Sequence, residues 1–407
     1  MAASALAQKQ EVEGKRVAAT GSAAAAYAVR DADVDVVAIY PITPQTHIAE
    51  YISEMAANGE IDAEVLHVES EHSALSAVVA AAATGARVFT ATASQGLELM
   101  HEILYIASGL RQPVVMALAT RALSAPINIW NDYSDLASAR DSGWIILVSE
   151  NVQEVYDNLI QAYYIAEHPD VLLPTLVSLD GFILSHTVEP LVLPPRDEVL
   201  SFIPKRPRGY RPVLDIDNPV TMGALVTPEW YYEVKVQQVM AMRNAIKVVE
   251  EAGREFGRRF GREYWLVEPY MVEDADYIIV TMGAISGTAK AAAQRLRKEG
   301  IKAGVLKIRV YRPFPADVVA KYLEEAKAVG VLDKAVLFGS TVEGPLAMDV
   351  IATLYTRDIR VPFASFVHGL GGRDIYVKEV IDMFKHLEKL ASKGRSERET
   401  IYVGVKE

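Results

Sequence analysis

Residues 63–96 read AEVLHVESEHSALSAVVAAAATGARVFTATASQG. "AEVLHVES" has the length and apolar content of a short buried strand. "EHSALSAVVAAAATGA" is an alanine-rich helix that stops at Thr84-Gly85. "RVFTATASQG" returns to β-branched and aromatic residues and closes on a turn composition. Strand, helix and strand in so short a span is the unit of a parallel sheet, because parallel neighbours need a long crossover between them. At the first join stand two acids, Glu69 and Glu71, directly before the apolar run. A carboxylate in such surroundings is costly unless it is paired or used.

The same alternation extends in both directions. "VDVVAIYPITP" is a strand and a loop, and "THIAEYISEMAANGE" a helix. "LELMHEILYIASGLR" is a helix and "QPVVMALATRA" a strand. "GWIILVSE" and "LPTLVSLDG" are strands around the helix "VQEVYDNLIQAYYIAEH". Strands alternating with helices predict an α/β fold, with a parallel sheet covered on both faces. Between 190 and 228 eight prolines intervene, from Pro190 to Pro228. That density rules out regular element interiors and reads as an ordered connector. A long helix follows over about 229–260 with the basic end "GRRFGR".

A second α/β unit begins near 272. "ADYIIVTMG", "IKAGVLKIRVYRPFP" and "AVLFG" read as strands, and "VPFASFVHGLGG" as a strand or loop. "ISGTAKAAAQRLRKEG", "ADVVAKYLEEAK", "GPLAMDVIATLY" and the tail "VKEVIDMFKHLEKLASK" read as helices. The organisation expected is therefore 1–190, a connector and helix over 191–262, and 263–407.

The 407 residues exceed one ordinary core. A net charge of −12 argues against a general nucleic-acid binder. No apolar run is long enough to cross a bilayer, and "MAASALAQKQEVEGKR" lacks a signal-peptide core. A cytoplasmic location is expected. There is no cysteine, so disulfides and cysteine-ligated iron–sulfur clusters are impossible on this chain.

Ligands of parallel sheets bind beyond the carboxyl ends of the strands. Beyond four strands here stand Tyr40-Pro41-Ile42-Thr43-Pro44, Ser70-Glu71, Ser94-Gln95-Gly96 and Thr120-Arg121. If those strands are neighbours, one crevice receives a hydroxyl, a carboxylate, an amide and a guanidinium. That set suits a small polar ligand with one anionic group. Each member also has a plain structural reading. Thr43 stiffens a turn, Arg121 forms an ion pair, Gln95-Gly96 makes a turn, and Ser70 caps a helix. Glu69 and Glu71 complement that helix's N-terminal dipole. Alternation cannot choose between the two acids, which point to the same side of an extended strand. The helix start after Ser70 favours Glu71. The small-sided helix behind it is either buried core or a contact surface at a domain or subunit junction.

In "YPITP", "VESEHSA", "FTATASQG", "RALSAPINIWND", "DGFILSHT" and "VYRPFP" the chain resembles the α subunit of the 2-oxoacid:ferredoxin oxidoreductases, of the pyruvate or branched-chain type. The resemblance spans essentially the whole sequence. It implies a thiamine-diphosphate-binding fold, with a pyrimidine-binding domain and a transketolase C-terminal-like α/β domain. By position Glu71 becomes the acid that hydrogen-bonds N1′ of the aminopyrimidine, which favours removal of the C2 proton of the thiazolium. Thr43 and Arg121 become contacts to the 2-oxoacid, and Pro41, Gln95 and Gly96 line the cofactor. Gln45 departs from the serine of many relatives, a change that bears on loop packing.

No Gly-Asp-Gly stretch is present, and Asp180-Gly181 lacks the preceding glycine. The resemblance therefore implies that this chain binds no metal. A β subunit would hold the diphosphate and Mg2+, and γ and δ subunits the [4Fe-4S] clusters, in a dimer of heteromers. CoA would be co-substrate and ferredoxin the acceptor. Pyruvate leads as substrate. The alternatives are 2-oxoisovalerate or phenylglyoxylate, a non-oxidative thiamine enzyme, and a docking subunit without chemistry of its own. A dicarboxylic substrate would need a second cation, for which His47 and Arg140 are candidates. Trp130 or Tyr133 could serve an aromatic or branched one.

Overall fold

The structure is a computed structural model that describes residues 14–205 and 212–406. The first thirteen residues and 206–211, including Pro207, lie outside the described residues, and with them most of the segment read for a leader.

The opening elements are β1 (Lys15–Ala19), α1 (Gly21–Asp31), β2 (Val36–Ile39), α2 (Thr46–Ala57), β3 (Glu64–His67), α3 (Glu71–Ala83) and β4 (Val88–Thr92). Then come α4 (Ser94–Leu99), α5 (His101–Gly109), β5 (Val115–Thr120), α6 (Ser134–Ala139), β6 (Ile145–Val148), α7 (Val152–Ala166) and β7 (Thr175–Asp180). Strands β6, β7, β5, β4, β2 and β3 lie side by side in that order, all parallel. Every residue of β4, β5, β6 and β7 is buried. Their near-continuous apolar sequences follow from burial on both faces. Helices α1, α2 and α7 cover one face, and α3, α5 and α6 the other.

The proline-rich segment is not purely irregular, contrary to expectation. It contains β8 (Glu189–Leu193), antiparallel to β1, and α8 (Arg196–Phe202). Pro190 is tolerated because it sits in a two-stranded ribbon, where an edge position needs no donor. Pro195 and Pro204 flank α8 and stay out of its interior. The long helix α9 (Pro228–Phe260) starts at a proline and stops at Gly261, which takes the left-handed conformation (φ 67°).

Further on are β9 (Val267–Tyr270), β10 (Tyr277–Thr281), α10 (Ile285–Lys298), β11 (Ala303–Ile308), β12 (Val310–Arg312), α11 (Ala316–Leu323) and β13 (Ala328–Asp333). The chain closes with α12 (Pro345–Thr356), β14 (Phe363–Val367), α13 (Val377–Lys393) and β15 (Ile401–Tyr402). The second sheet runs β15-β14-β13-β10-β11-β9, parallel except for β9. Two expectations are corrected here. "AVLFG" is not a strand: the strand is the earlier "AVGVLD", whose six residues are all buried between β10 and β14. "IKAGVLKIRVYRPFP" is two strands, because after Ile308 the chain leaves the second sheet and β12 joins the first, antiparallel to β6.

That crossing is held by buried charge. At the crossing, Arg309 is 2% exposed and donates to Asn158 Oδ1 (2.8 Å) and Gln161 Oε1 (3.0 Å) on α7. Burial lowers its pKa to about 10. Lys307 of β11 lies within 2.8 Å of Glu150, 2.6 Å of Glu154 and 2.5 Å of Glu268. Burial alone would lower the Lys307 pKa, but Glu154, Glu150 and Glu268 outweigh it and hold the ammonium above its ordinary value. Lys290 adds a second cation to Glu150 (2.7 Å) and Glu268 (2.6 Å). The cluster joins β9, β11 and α10 to the β6–α7 corner. Replacing Lys307 by Ala should cost about 3–5 kcal/mol, since it strands buried carboxylates. Denaturant unfolding measures this, and a loss below about 1 kcal/mol, the size of a surface pair, would contradict the assigned role.

Candidate functional site

Because β7, β5, β4, β2 and β3 are neighbours, the segments that follow them form one rim. The contacts across it are close. Gly181, after β7, donates its N–H to Thr120 O (3.2 Å). A Cβ on Gly181 would stand 2.7 Å from Pro44 Cγ.

Arg121 leaves the end of β5 and is only 7% exposed. Its Nη1 donates to the carbonyl of Thr43 (2.9 Å), and its Nε to the carbonyl of Asn128 (2.9 Å). Among the described residues no carboxylate forms an ion pair with this guanidinium. Burial lowers its pKa, against the opposing field of Asp135. Two neutral carbonyls orient the group without neutralising it, so a buried cation is left in need of an anion. Asn128 is itself braced from the second sheet, donating Nδ2–H to Gly371 O (3.0 Å) in the glycine-rich turn after β14. Thr43 thus meets Arg121 through its backbone, and its side chain is exposed.

The two acids of "VESEHSA" part company. β3 ends at His67, and Ser70 caps α3 by accepting from Ser73 N. Glu69 is exposed and accepts from the Ser73 hydroxyl, which lowers its pKa. Glu71, the first residue of α3, is 6% exposed and turns inward. Its carboxylate lies against Gly96, where a Cβ would come within 2.6 Å of Glu71 Oε1 and also strike Thr92 Oγ1. Only glycine lets the carboxylate lie there. Among the described residues no side chain or N–H donates to the Glu71 carboxylate, and the buried Thr92 hydroxyl has no partner.

Asp135, at the start of α6, is a residue the sequence reading missed. It is fully buried. Its Oδ2 accepts from Ser94 N (2.9 Å) and Arg121 N (3.0 Å), and its Oδ1 from Leu136 N (2.7 Å). Burial pushes its carboxyl well above the ordinary range, opposed by the N–H groups of Arg121 and Ser94. Ser94 has φ 47°, an uncommon conformation for a residue with a side chain. Ser94 and Gln95-Gly96 form the first turn of α4, where a loop turn was expected. Gln95 Oε1 lies 2.7 Å from Ser94 Oγ, and Pro41 is exposed on the rim. Gln45 closes the 42–45 turn by accepting from Ile42 N (3.2 Å), a loop-packing role.

The remaining candidates separate. Tyr133 is buried and donates to Asp180 Oδ1 (2.6 Å), near Lys334 (3.7 Å from Asp180). Trp130 is exposed and packs 6.0 Å from the Phe182 ring. His47 lies beside His186, with ring centroids 4.6 Å apart. Arg140 faces Asp141 (3.4 Å).

The crevice thus offers a cation without its anion, a buried acid without its donor and an unpartnered hydroxyl. A ligand presenting a ring N–H to Glu71 fits that donor set. A metal-diphosphate group finds no matching acids in it. Among the described residues, the carboxylates near enough to share a cation are Glu150, Glu154 and Glu268, which Lys290 and Lys307 already neutralise.

The family model for pyruvate flavodoxin/ferredoxin oxidoreductase, thiamine diphosphate-binding, matches residues 27–254. That for pyruvate:ferredoxin oxidoreductase core domain II matches 275–380. The pyruvate synthase subunit PorA of Methanocaldococcus jannaschii is 48% identical over 393 residues, covering 95% of this chain and 97% of the relative. The ketoisovalerate oxidoreductase subunit VorA of Pyrococcus horikoshii is 44% identical over 381 residues, covering 93% and 95%. Among solved structures, a 2-oxoglutarate:ferredoxin oxidoreductase from Magnetococcus marinus, with 2-oxoglutarate, coenzyme A and succinyl-CoA bound, superposes with TM-score 0.70 at 19% identity. The match covers 92% of this chain and 65% of that one, and the likeness is one of fold.

Gly96→Ala should displace the Glu71 carboxylate, destabilising the protein by about 1–3 kcal/mol, as overpacking of a core position does. Unfolding experiments and the crystal structure of the variant check this. An unmoved carboxylate with unchanged stability would mean that the close approach at Gly96 is not a constraint.

Proposed function

The chain belongs to the pyruvate flavodoxin/ferredoxin oxidoreductase family, and from that premise we propose that it is the α subunit that oxidatively decarboxylates pyruvate. The overall reaction converts pyruvate, CoA and two oxidised ferredoxins to acetyl-CoA, CO2, two reduced ferredoxins and a proton. The observation that carries the reading is Arg121, a guanidinium 7% exposed with main-chain carbonyls as its partners and no acid paired to it among the described residues. It asks for a small carboxylate, and a 2-oxoacid brings one.

Thiamine diphosphate, when bound, supplies a nucleophilic carbon and an electron sink for the decarboxylation. Glu71 would hold a proton at N1′ of its pyrimidine. The acid suits that task because it is buried, lacks another donor among the described residues and stands at a helix N-terminus. Gly96 lets the carboxylate lie against the α4 turn, and Thr92 offers a hydroxyl in the same place. Pro41 and Gln95 would flank the ring. Arg121 would orient the substrate carboxylate, and because that group leaves as CO2 it must not be held more tightly before the reaction than during it. The Thr43 hydroxyl, exposed on the rim, would bond the substrate's carboxylate or keto oxygen.

The other half of the cofactor site belongs, in this reading, to a β subunit that holds the diphosphate and Mg2+. Electrons leave singly to clusters on γ and δ subunits and then to ferredoxin. The absence of cysteine from the chain supports that division. The same reading divides the chain into a pyrimidine-binding part, a connector with its helix and a transketolase C-terminal-like part; of the two matched models, one spans 27–254, across the first two parts, and the other 275–380, within the third. A cytoplasmic location suits ferredoxin chemistry, and no described helix is long and apolar enough to cross a membrane. A second reading keeps the chemistry and changes the substrate to 2-oxoisovalerate. It is favoured by the exposed Trp130 against Phe182, an apolar wall beside the segment that holds Arg121.

Glu71→Ala in the assembled complex should slow C2 proton exchange of bound cofactor about 10²–10⁴-fold, the range of general acid–base assistance. Exchange at the wild-type rate would remove Glu71 from the role. Arg121→Ala should raise KM for the preferred 2-oxoacid about tenfold or more, the loss expected for a charge-assisted hydrogen bond. The same KM in variant and wild type, whether for pyruvate or 2-oxoisovalerate, would place the carboxylate elsewhere.

A further inference from the structure

Asp135 is a buried acid beside the crevice that the chemistry above leaves without a part. Among the described residues it forms no ion pair, and all three of its hydrogen bonds come from main-chain N–H groups. An acid at a helix start needs only a bond to its own first turn. Asp135 makes a local bond with Oδ1, to Leu136 N, and sends Oδ2 away from the helix. There it takes the N–H of Ser94, forty-one residues earlier, and the N–H of Arg121, fourteen residues earlier.

Those two N–H groups lie where the sheet stops holding the chain. The ladder between β4 and β5 ends at the pair Thr92–Leu118. Beyond it the two backbones diverge, one toward Gly96 and Glu71, the other toward the Arg121 side chain. Asp135 Oδ2 spans the gap in place of the missing ladder bond. The Ser94 hydroxyl adds a bond to the carbonyl of Ala122 (2.7 Å). Ser94 is held at φ 47°, a conformation that persists only where the surroundings over-determine it.

We propose that Asp135 is the positioning residue of this crevice: one carboxylate oxygen sets the Ser94–Gly96 turn on the cofactor side and Arg121 on the substrate side, so that both halves are aligned together. The proposal rests on the reading of the crevice given above. Asp135 acts through other residues, its carboxylate being taken up by the N–H groups of Ser94, Arg121 and Leu136.

Asp135→Asn is the direct test, because the amide has the carboxylate's shape but one acceptor oxygen. It must turn an N–H toward either Leu136 or the Ser94–Arg121 pair. Asp135→Glu, which keeps the carboxylate and moves it by a methylene, serves if the amide variant does not assemble. In the purified complex, calorimetry on the cofactor-free form gives the thiamine diphosphate Kd, and steady-state kinetics give KM and kcat for the 2-oxoacid. In either variant Kd and KM should rise together, by about tenfold in Asp135→Asn, as when a buried donor loses its acceptor, with a smaller fall in kcat. Three results in Asp135→Glu, whichever way the amide of Asp135→Asn has turned, would overturn the proposal: neither constant moves, only one moves, or active sites are lost while both constants hold. The reading of the crevice is tested separately and first. If the wild-type complex neither binds thiamine diphosphate nor turns over a 2-oxoacid, that reading fails before any variant is made.

Discussion

The parallel ladder through β7, β5, β4, β2 and β3 is the constraint on which the rest of the site depends. Parallel strands all deliver their carboxyl ends to one side, and the crossover helices cover the faces. Five segments far apart in sequence therefore reach one rim about one strand spacing, roughly 4.8 Å, apart from neighbour to neighbour. An antiparallel meander of the same strands would divide them between two opposite rims, because alternate strand ends would point away.

Around this rim and at the crossing between the two sheets the chain buries charge, and its surroundings decide how each charge is handled. Lys307 sits among Glu150, Glu154 and Glu268, and the cluster is satisfied within itself. Arg309 trades its anion for two side-chain amides. Asp135 takes three backbone donors. Arg121 and Glu71 are different. One has carbonyls to orient it and no paired acid, and the other has a packing partner and no donor among the described residues. Buried charges are normally paired. Two are left incomplete on one rim, with opposite sign, and in the reading proposed above a ligand with an anionic end and a donor end would complete them.

Several features were legible in the sequence because they are local. The strand and helix around "VESEHSA" follow from composition and length, and Ser70 caps α3 as its residue type suggests. The extent of α9, read as about 229–260, is equally local. The misreadings share a cause. "AVLFG" and "AVGVLD" are both short apolar runs, and only the neighbours β10 and β14 select the second. The break at Arg309 is invisible in an uninterrupted alternating run, because it is a change of sheet. The prolines at 190–204 were over-read, since an edge ribbon and a helix boundary tolerate them.

The sequence by itself determined the α/β class and the candidate set at the strand ends, because periodicity and turn chemistry act over a few residues. The lack of cysteine, which bars cluster ligation by thiolates, was equally plain there. It left Glu69 and Glu71 equivalent on alternation alone, since extended strand geometry points both to one side. Tertiary structure separated them: β3 ends at His67, Glu69 stays in water with Ser73, and Glu71 turns in against Gly96. Only the fold could reveal Asp135, whose residue type and place read as an ordinary helix-start acid. Its second oxygen bonds chain segments that sequence separation hides and sheet order brings within 3.0 Å.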